Sequence, residues 1–381
     1  MPTKPSNEPQ VWAVAGGGPS RAGLFPGPVR IATRAARRLT ARGAVQASAV
    51  FDANQRVFIA DMAGWVQAFA NTGTPLWQQR LDGAVSATPA VDVSAGRVFV
   101  GTQMGWVYAL ATGDGRVLWR QRVPTKTDAR IVSDLLWLET QQRVVLSSWG
   151  GRFNALDAAT GEIAHTWDAG ISPQAGASTD TSGNCFSLRA VRGEGVAFVR
   201  VAPEGGETVL HRQPEGERGA SRMVVAAAPV LDEPRGIAYF IVNRGRDSAL
   251  HAWSLRDARL LWQRDLPRMI VATPALRPDG AIVTAGMDGA VHVLAPEGSP
   301  LFRYDTGAEY LLAGPVCDGE GNMFVGDPLG RLHVIDSGGS GRATFETARS
   351  LQARPAFDPH GDLFLPGTDR TVHVFRNLAA A

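Results

Sequence analysis

Short runs in which apolar and polar residues alternate, each closed by Gly, Asp or Pro, follow one another through residues 43–375. That period of two predicts strands, and no sustained 3.6-residue period competes with it, so helix should be nearly absent. One stretch carries a full set of four runs: apolar residues 85–91, valine-rich 97–101, alternating 106–110, and 116–119 ending in Trp119. The set recurs from starts near Gly43, Gly83, Asp128, Ser172, Ser221, Arg268, Ala308 and Arg349, at spacings of 40 to 49 residues. Eight units of several short strands at this period predict an all-β fold, an eight-bladed β-propeller.

The eighth unit stops after three strands, at residues 371–375, while residues 29–40 precede the first inner strand. The pattern therefore predicts that this N-terminal strand closes the last blade, which would leave no open sheet edge between the chain ends. Residues 1–11 read as a disordered lead and 12–381 as one domain. A bend motif ending in tryptophan, clearest at residues 155–167, places Trp77, Trp119, Trp167 and Trp262 on outer strands. A large flat ring there can lie across the neighbouring blade and set the angle between blades. Leu210, Phe302, Phe345 and either Arg34 or Ala35 are the stand-ins where tryptophan is missing, and they predict looser docking.

With 44% hydrophobic residues, the chain can bury a core, and its net charge of +2 with 19% charged residues implies neither nucleic acid nor an acidic membrane surface as partner. No apolar stretch is long enough for a transmembrane helix, and the start at Met1 lacks an apolar signal segment. A cytoplasmic protein without membrane contact is the resulting expectation. Cys185 and Cys317 fall in different blades and read as isolated thiols.

Taken with residues 12–23 (Trp-Ala-Val-Ala-Gly-Gly-Gly-Pro-Ser-Arg-Ala-Gly), the repeats and the tryptophan motif resemble the pyrroloquinoline-quinone-like propeller repeat family over residues 12–375. That resemblance implies the fold. It leaves activity open, because the family spans quinone-dependent alcohol dehydrogenases, an outer-membrane assembly lipoprotein that binds partners, and sensor domains. The dehydrogenase branch implies adjacent cysteines, a calcium site of carboxylate and amide side chains and a catalytic aspartate. This sequence has no adjacent cysteines and no set that aligns to the calcium site, so no cofactor is expected. The lipoprotein branch implies export and a lipidated cysteine near the start, and neither is visible.

Ligands of a propeller gather at the mouth of the central channel, where the turns between second and third strands converge. Met104, Trp106, Trp149 and Met287 give that rim a soft apolar sector, and Arg130, Arg222 and Arg268 join it from the blade-to-blade connections. Guanidinium beside aromatic rings suits an acidic ligand with an apolar or aromatic body. On the inner strands the equivalent positions are mostly small, namely Ser48, Thr88, Ala228, Thr273 and Gly314, with Asp134 and Arg354 as charged exceptions. Those two either satisfy one another and channel water or serve a ligand. Asp134, then Tyr310, would be the candidates for proton transfer. His251, His292, His333 and His373 are spaced by the blade period, which separates them onto different sheets, so no metal site is expected.

The leading reading is a cofactor-free propeller that binds a protein partner or an acidic or aromatic small molecule at the channel mouth, with the connection of residues 213–222 overhanging it. The alternative is a cofactor-independent biosynthetic enzyme of cyclase or isomerase type, with its site in the central funnel. A quinone-dependent oxidoreductase comes third.

Overall fold

The computed structural model describes residues 11–32, 34–124, 127–171, 174–214 and 223–379. Of the sequence expectations, the lead up to residue 10, Arg222 and the overhang from residue 215 onward lie outside them. The described residues form eight antiparallel sheets, seven of four strands and one of five. Their only helical element is one 3-10 turn, Glu139–Gln141.

Strand Arg37–Thr40 pairs with Thr371–Phe375 in the register Arg37 to Val374 and Thr40 to Thr371. Leu363–Gly367 and Ala356–Phe357 complete that sheet, so the eighth blade is closed by the N-terminal strand. Ile31 is held by an isolated bridge to Asn377 rather than by the strand. Blade four, the least regular in sequence, still has four ordinary strands from Ser178–Thr179 to Glu207–Gln213.

The blade docking follows a rule that the tryptophan motif only half reveals. In seven blades the outer pair of strands carries a one-residue register shift. Pairing beside this shift places Trp77, Trp119, His165, His211, Trp262, Phe302 and Ala343 in equivalent positions. Trp119 donates its indole N–H to the Ala158 carbonyl of the next blade at 2.9 Å, and Trp77 does the same to Thr112 at 2.9 Å. Each ring rests on the glycine of the neighbouring bend. Gly161 has φ +78°, and a Cβ there would lie 2.6 Å from the Trp119 ring, so both backbone conformation and space demand glycine. Trp167 is two residues beyond the docking position and stacks on Phe153 of its own blade, centroids 5.1 Å apart. The expected stand-ins shift likewise: His211 replaces Leu210 and Ala343 replaces Phe345, while Phe302 is as expected. In blade eight, which has no such shift, Arg37 pairs with Val374, the counterpart of Val334 opposite Ala343.

His211 in its docking position meets His251 of blade five, ring centroids 5.7 Å apart, and His251 stacks on Phe240. Burial lowers both imidazoles, His251 to about 4, with His211 adding to the effect. A histidine whose folded pKa is depressed favours the neutral form, so its stabilisation is complete above the unfolded value near 6.5 and is lost as pH falls toward 4. Asp358, raised to about 6 by burial, works in the opposite sense over part of that window. His251 alone should account for a loss of about 2 kcal/mol of unfolding free energy between pH 7 and 4.5, offset in part by Asp358, and His251→Asn should remove that loss from the profile. An unchanged profile in the variant would place the titration elsewhere.

Residues 12–23 follow the ring at the end opposite the rim turns. The carbonyls of Trp12, Ala13, Pro19, Ser20, Ala22 and Gly23 accept, in chain order, from Phe51, Val91, Thr179, Leu231, Leu276 and Cys317 at 2.8–3.0 Å. These donors belong to the inner strands of blades one, two, four, five, six and seven. The segment thus satisfies inner-edge N–H groups that would otherwise be buried without partners. Trp12 anchors its start edge-on against Phe357 in blade eight.

Candidate functional site

Inner strands that converge on an axis leave room only for small side chains. Ser48, Thr88, Thr273 and Gly314 line an axial cavity of about 130 Å³ together with Arg21, Asp134 and Arg354. Arg354 reaches across from blade eight, donating from Nε to the Pro315 carbonyl at 2.9 Å, from Nη2 to Pro274 at 2.9 Å and from Nη1 to Arg21 at 3.3 Å. It therefore joins blades six, seven and eight to the N-terminal segment. Burial pushes it down to about 10, still well above neutrality, so it remains charged.

Arg21 was not legible as a site residue. It sits outside the blade repeat, and only folding brings it to the axis. It is 1% exposed, has φ 57°, and donates from Nε to the Ala177 carbonyl at 2.6 Å and from Nη2 to the Asp134 carbonyl at 3.0 Å. Asp134 does not pair with Arg354. One carboxylate oxygen accepts from the Thr88 N–H at 2.8 Å, and the other lies 3.9 Å from Arg21 Nη1. Tyr310 is absent from the lining of this cavity, so the two proton-transfer candidates are not brought together there.

The rim residues do cluster, in blades one to three. Arg120 and Arg122 lie 4.9 and 5.9 Å from the Trp106 ring, and Arg42 and Arg80 flank Trp65 at 5.8 and 6.0 Å. Arg130 covers Trp149 at 4.9 Å and pairs with Asp128. Met104 stands 56% exposed beside them. Arg42, Arg80 and Arg122 have no carboxylate within ion-pair distance among the described residues. Across the ring Arg303 meets Asp288 and Asp305 and Arg331 meets Asp327 at 2.7 Å, whereas Arg268 and Arg349 have no carboxylate within ion-pair distance among the described residues. Met287 and Arg268 belong to that other sector, where the Arg268 carbonyl accepts from Ser248. His292, His333 and His373 each bond to an aspartate of their own blade, at 2.9–3.1 Å. Among the described residues no three His, Cys, Asp or Glu side chains gather as metal ligands.

The family described as outer membrane protein assembly factor BamB matches residues 62–266, more than half of the sequence. This chain belongs to that family. The BamB of Yersinia pestis is 25% identical over 297 residues, 74% of this chain and 72% of the relative. The crystal structure of BamB from Moraxella catarrhalis superposes with a TM-score of 0.73 at 16% identity, covering 90% of this chain and 97% of that one. Quinohemoprotein alcohol dehydrogenase from Comamonas testosteroni superposes with a TM-score of 0.75 at 12% identity, over 96% and 80% of the two chains, a likeness of fold alone.

These relatives correct the expected location. Five outer membrane protein assembly factors match at 25–27% identity, which points to an outer membrane-associated factor and overturns the cytoplasmic reading. The exclusion of a membrane setting falls with it, and a biosynthetic role gains no support. No helix among the described residues is long and apolar enough to cross a membrane. The quinone implied by the dehydrogenase branch does not fit the axis: the cavity of about 130 Å³ is far below the roughly 300–1,000 Å³ of organic-ligand pockets, and Arg21 and Arg354 fill its base.

Proposed function

We propose that this BamB-family propeller is a partner-binding component of outer membrane protein assembly, and that it grips an acidic segment of a protein partner with the rim of blades one to three. The observation that carries this reading is the run of arginines on Trp65, Trp106 and Trp149, three of them without a carboxylate of their own. A guanidinium held over an indole is preorganised and weakly hydrated, so it meets an incoming carboxylate at little entropic cost. Aromatic and arginine anchors also dominate binding energy at protein interfaces. The small axial cavity favours this rim over a funnel enzyme built on Asp134.

Reversing the charge of Arg80, Arg120 and Arg122 together to Glu should cut recovery of the protein partner from solubilised outer membranes at least tenfold. Raised salt should weaken the native complex in the same direction. Undiminished recovery by a folded triple variant would remove the rim from the interface.

A further inference from the structure

We propose that Arg21 and Arg354 create an axial binding site for one small anion, a carboxylate or halide, at the base of the funnel. This inference does not rest on the partner-binding reading. Arg21 and Arg354 are 1% and 8% exposed, and among the described residues Asp134 supplies the cavity's only negative charge. Two buried cations against one partly exposed carboxylate leave an excess positive charge in a small cavity lined mainly by polar groups, and a buried charge without a counter-charge is costly. The nearby Cys317 thiol, pushed up to about 12 by burial, is neutral and does not redress the balance.

The cavity also has unused donors at its edge. Arg354 gives one hydrogen bond from each nitrogen, which leaves a second N–H on both Nη atoms. Arg21 Nη1 stands 3.9 Å from the Asp134 carboxylate, too far for a hydrogen bond. The hydroxyls of Thr88 and Thr273 accept from the backbone N–H groups of Ser48 and Ala228, at 3.1 and 3.2 Å, so their own protons can point into the cavity. Arg21, Arg354, Thr88 and Thr273 thus all line one space. At about 130 Å³ it holds roughly four waters, or one ion such as formate or bromide, and no aromatic acid.

The test combines a crystal soak with a melting titration. Bromide-soaked crystals should show an anomalous peak in the cavity, about 3.5 Å from Arg21 Nη1. Sodium formate should raise the melting temperature saturably, whereas a bulky sulfonate at the same ionic strength should not. Asp134→Asn removes the competing carboxylate and should lower the formate midpoint about tenfold. A Thr88→Val, Thr273→Val pair keeps the shape and should raise the midpoint several-fold. An empty cavity in bromide, melting that follows ionic strength alone, or a midpoint indifferent to the threonine pair would each overturn the site.

Discussion

Replacing Arg354 with Met should lower the stability of the whole ring by about 3 kcal/mol, because three orphaned carbonyls outweigh the relief of repulsion with Arg21, seen as a reduced denaturant midpoint with an unchanged slope. The methionine fills similar volume, so the loss reports hydrogen bonding rather than a void. Three carbonyls, from Pro274, Pro315 and Arg21, would lose their donor at once. A buried acceptor left without its partner costs about 1–3 kcal/mol. Because those carbonyls belong to three different chain segments, the substitution should also loosen the N-terminal segment, with faster hydrogen exchange at Cys317 and Leu276, whose N–H groups bond to it. A change below about 1 kcal/mol would mean that water replaces the guanidinium and that the clasp is dispensable.

The second large effect should come from Trp119→Ala, at about 3 kcal/mol, against about half that for Trp167→Ala. Trp119 crosses to blade three, bonds to Ala158 and covers Gly161. Trp167 stacks within its own blade, and its indole N–H has no partner among the described residues. Unfolding curves of the two variants decide the point, since equal losses would return Trp167 to the docking role that its motif suggests.

That contrast marks where the sequence is readable. Blade number and closure are legible because every unit buries the same face, and because a unit lacking its fourth strand must find one elsewhere. The docking position is less so: residues 165 and 167 share a face under a period of two, and the register shift that chooses His165 leaves no mark in the alternation. Arg354 is conspicuous as a charge among small inner-strand residues. Its counterpart Arg21 lies in a glycine-rich segment outside the repeat, and only the closed ring gives it contacts with residues 113 to 156 positions away. The cytoplasmic expectation leaned on the first few residues, which carry no information about the blades, whereas the relatives match over most of the chain.

Site-specific photo-cross-linking on the rim tests the partner-binding account most directly. Met104 and Leu329, 56% and 63% exposed, sit in second-to-third strand turns of blades two and seven. A photoreactive residue at 104, in the arginine–tryptophan sector, should give a discrete product with an outer membrane protein that vanishes when Arg80, Arg120 and Arg122 are reversed to Glu. The same residue at 329, beside the Arg331–Asp327 pair, should give none. Equal products from both positions, or a product at 329 alone, would contradict the account.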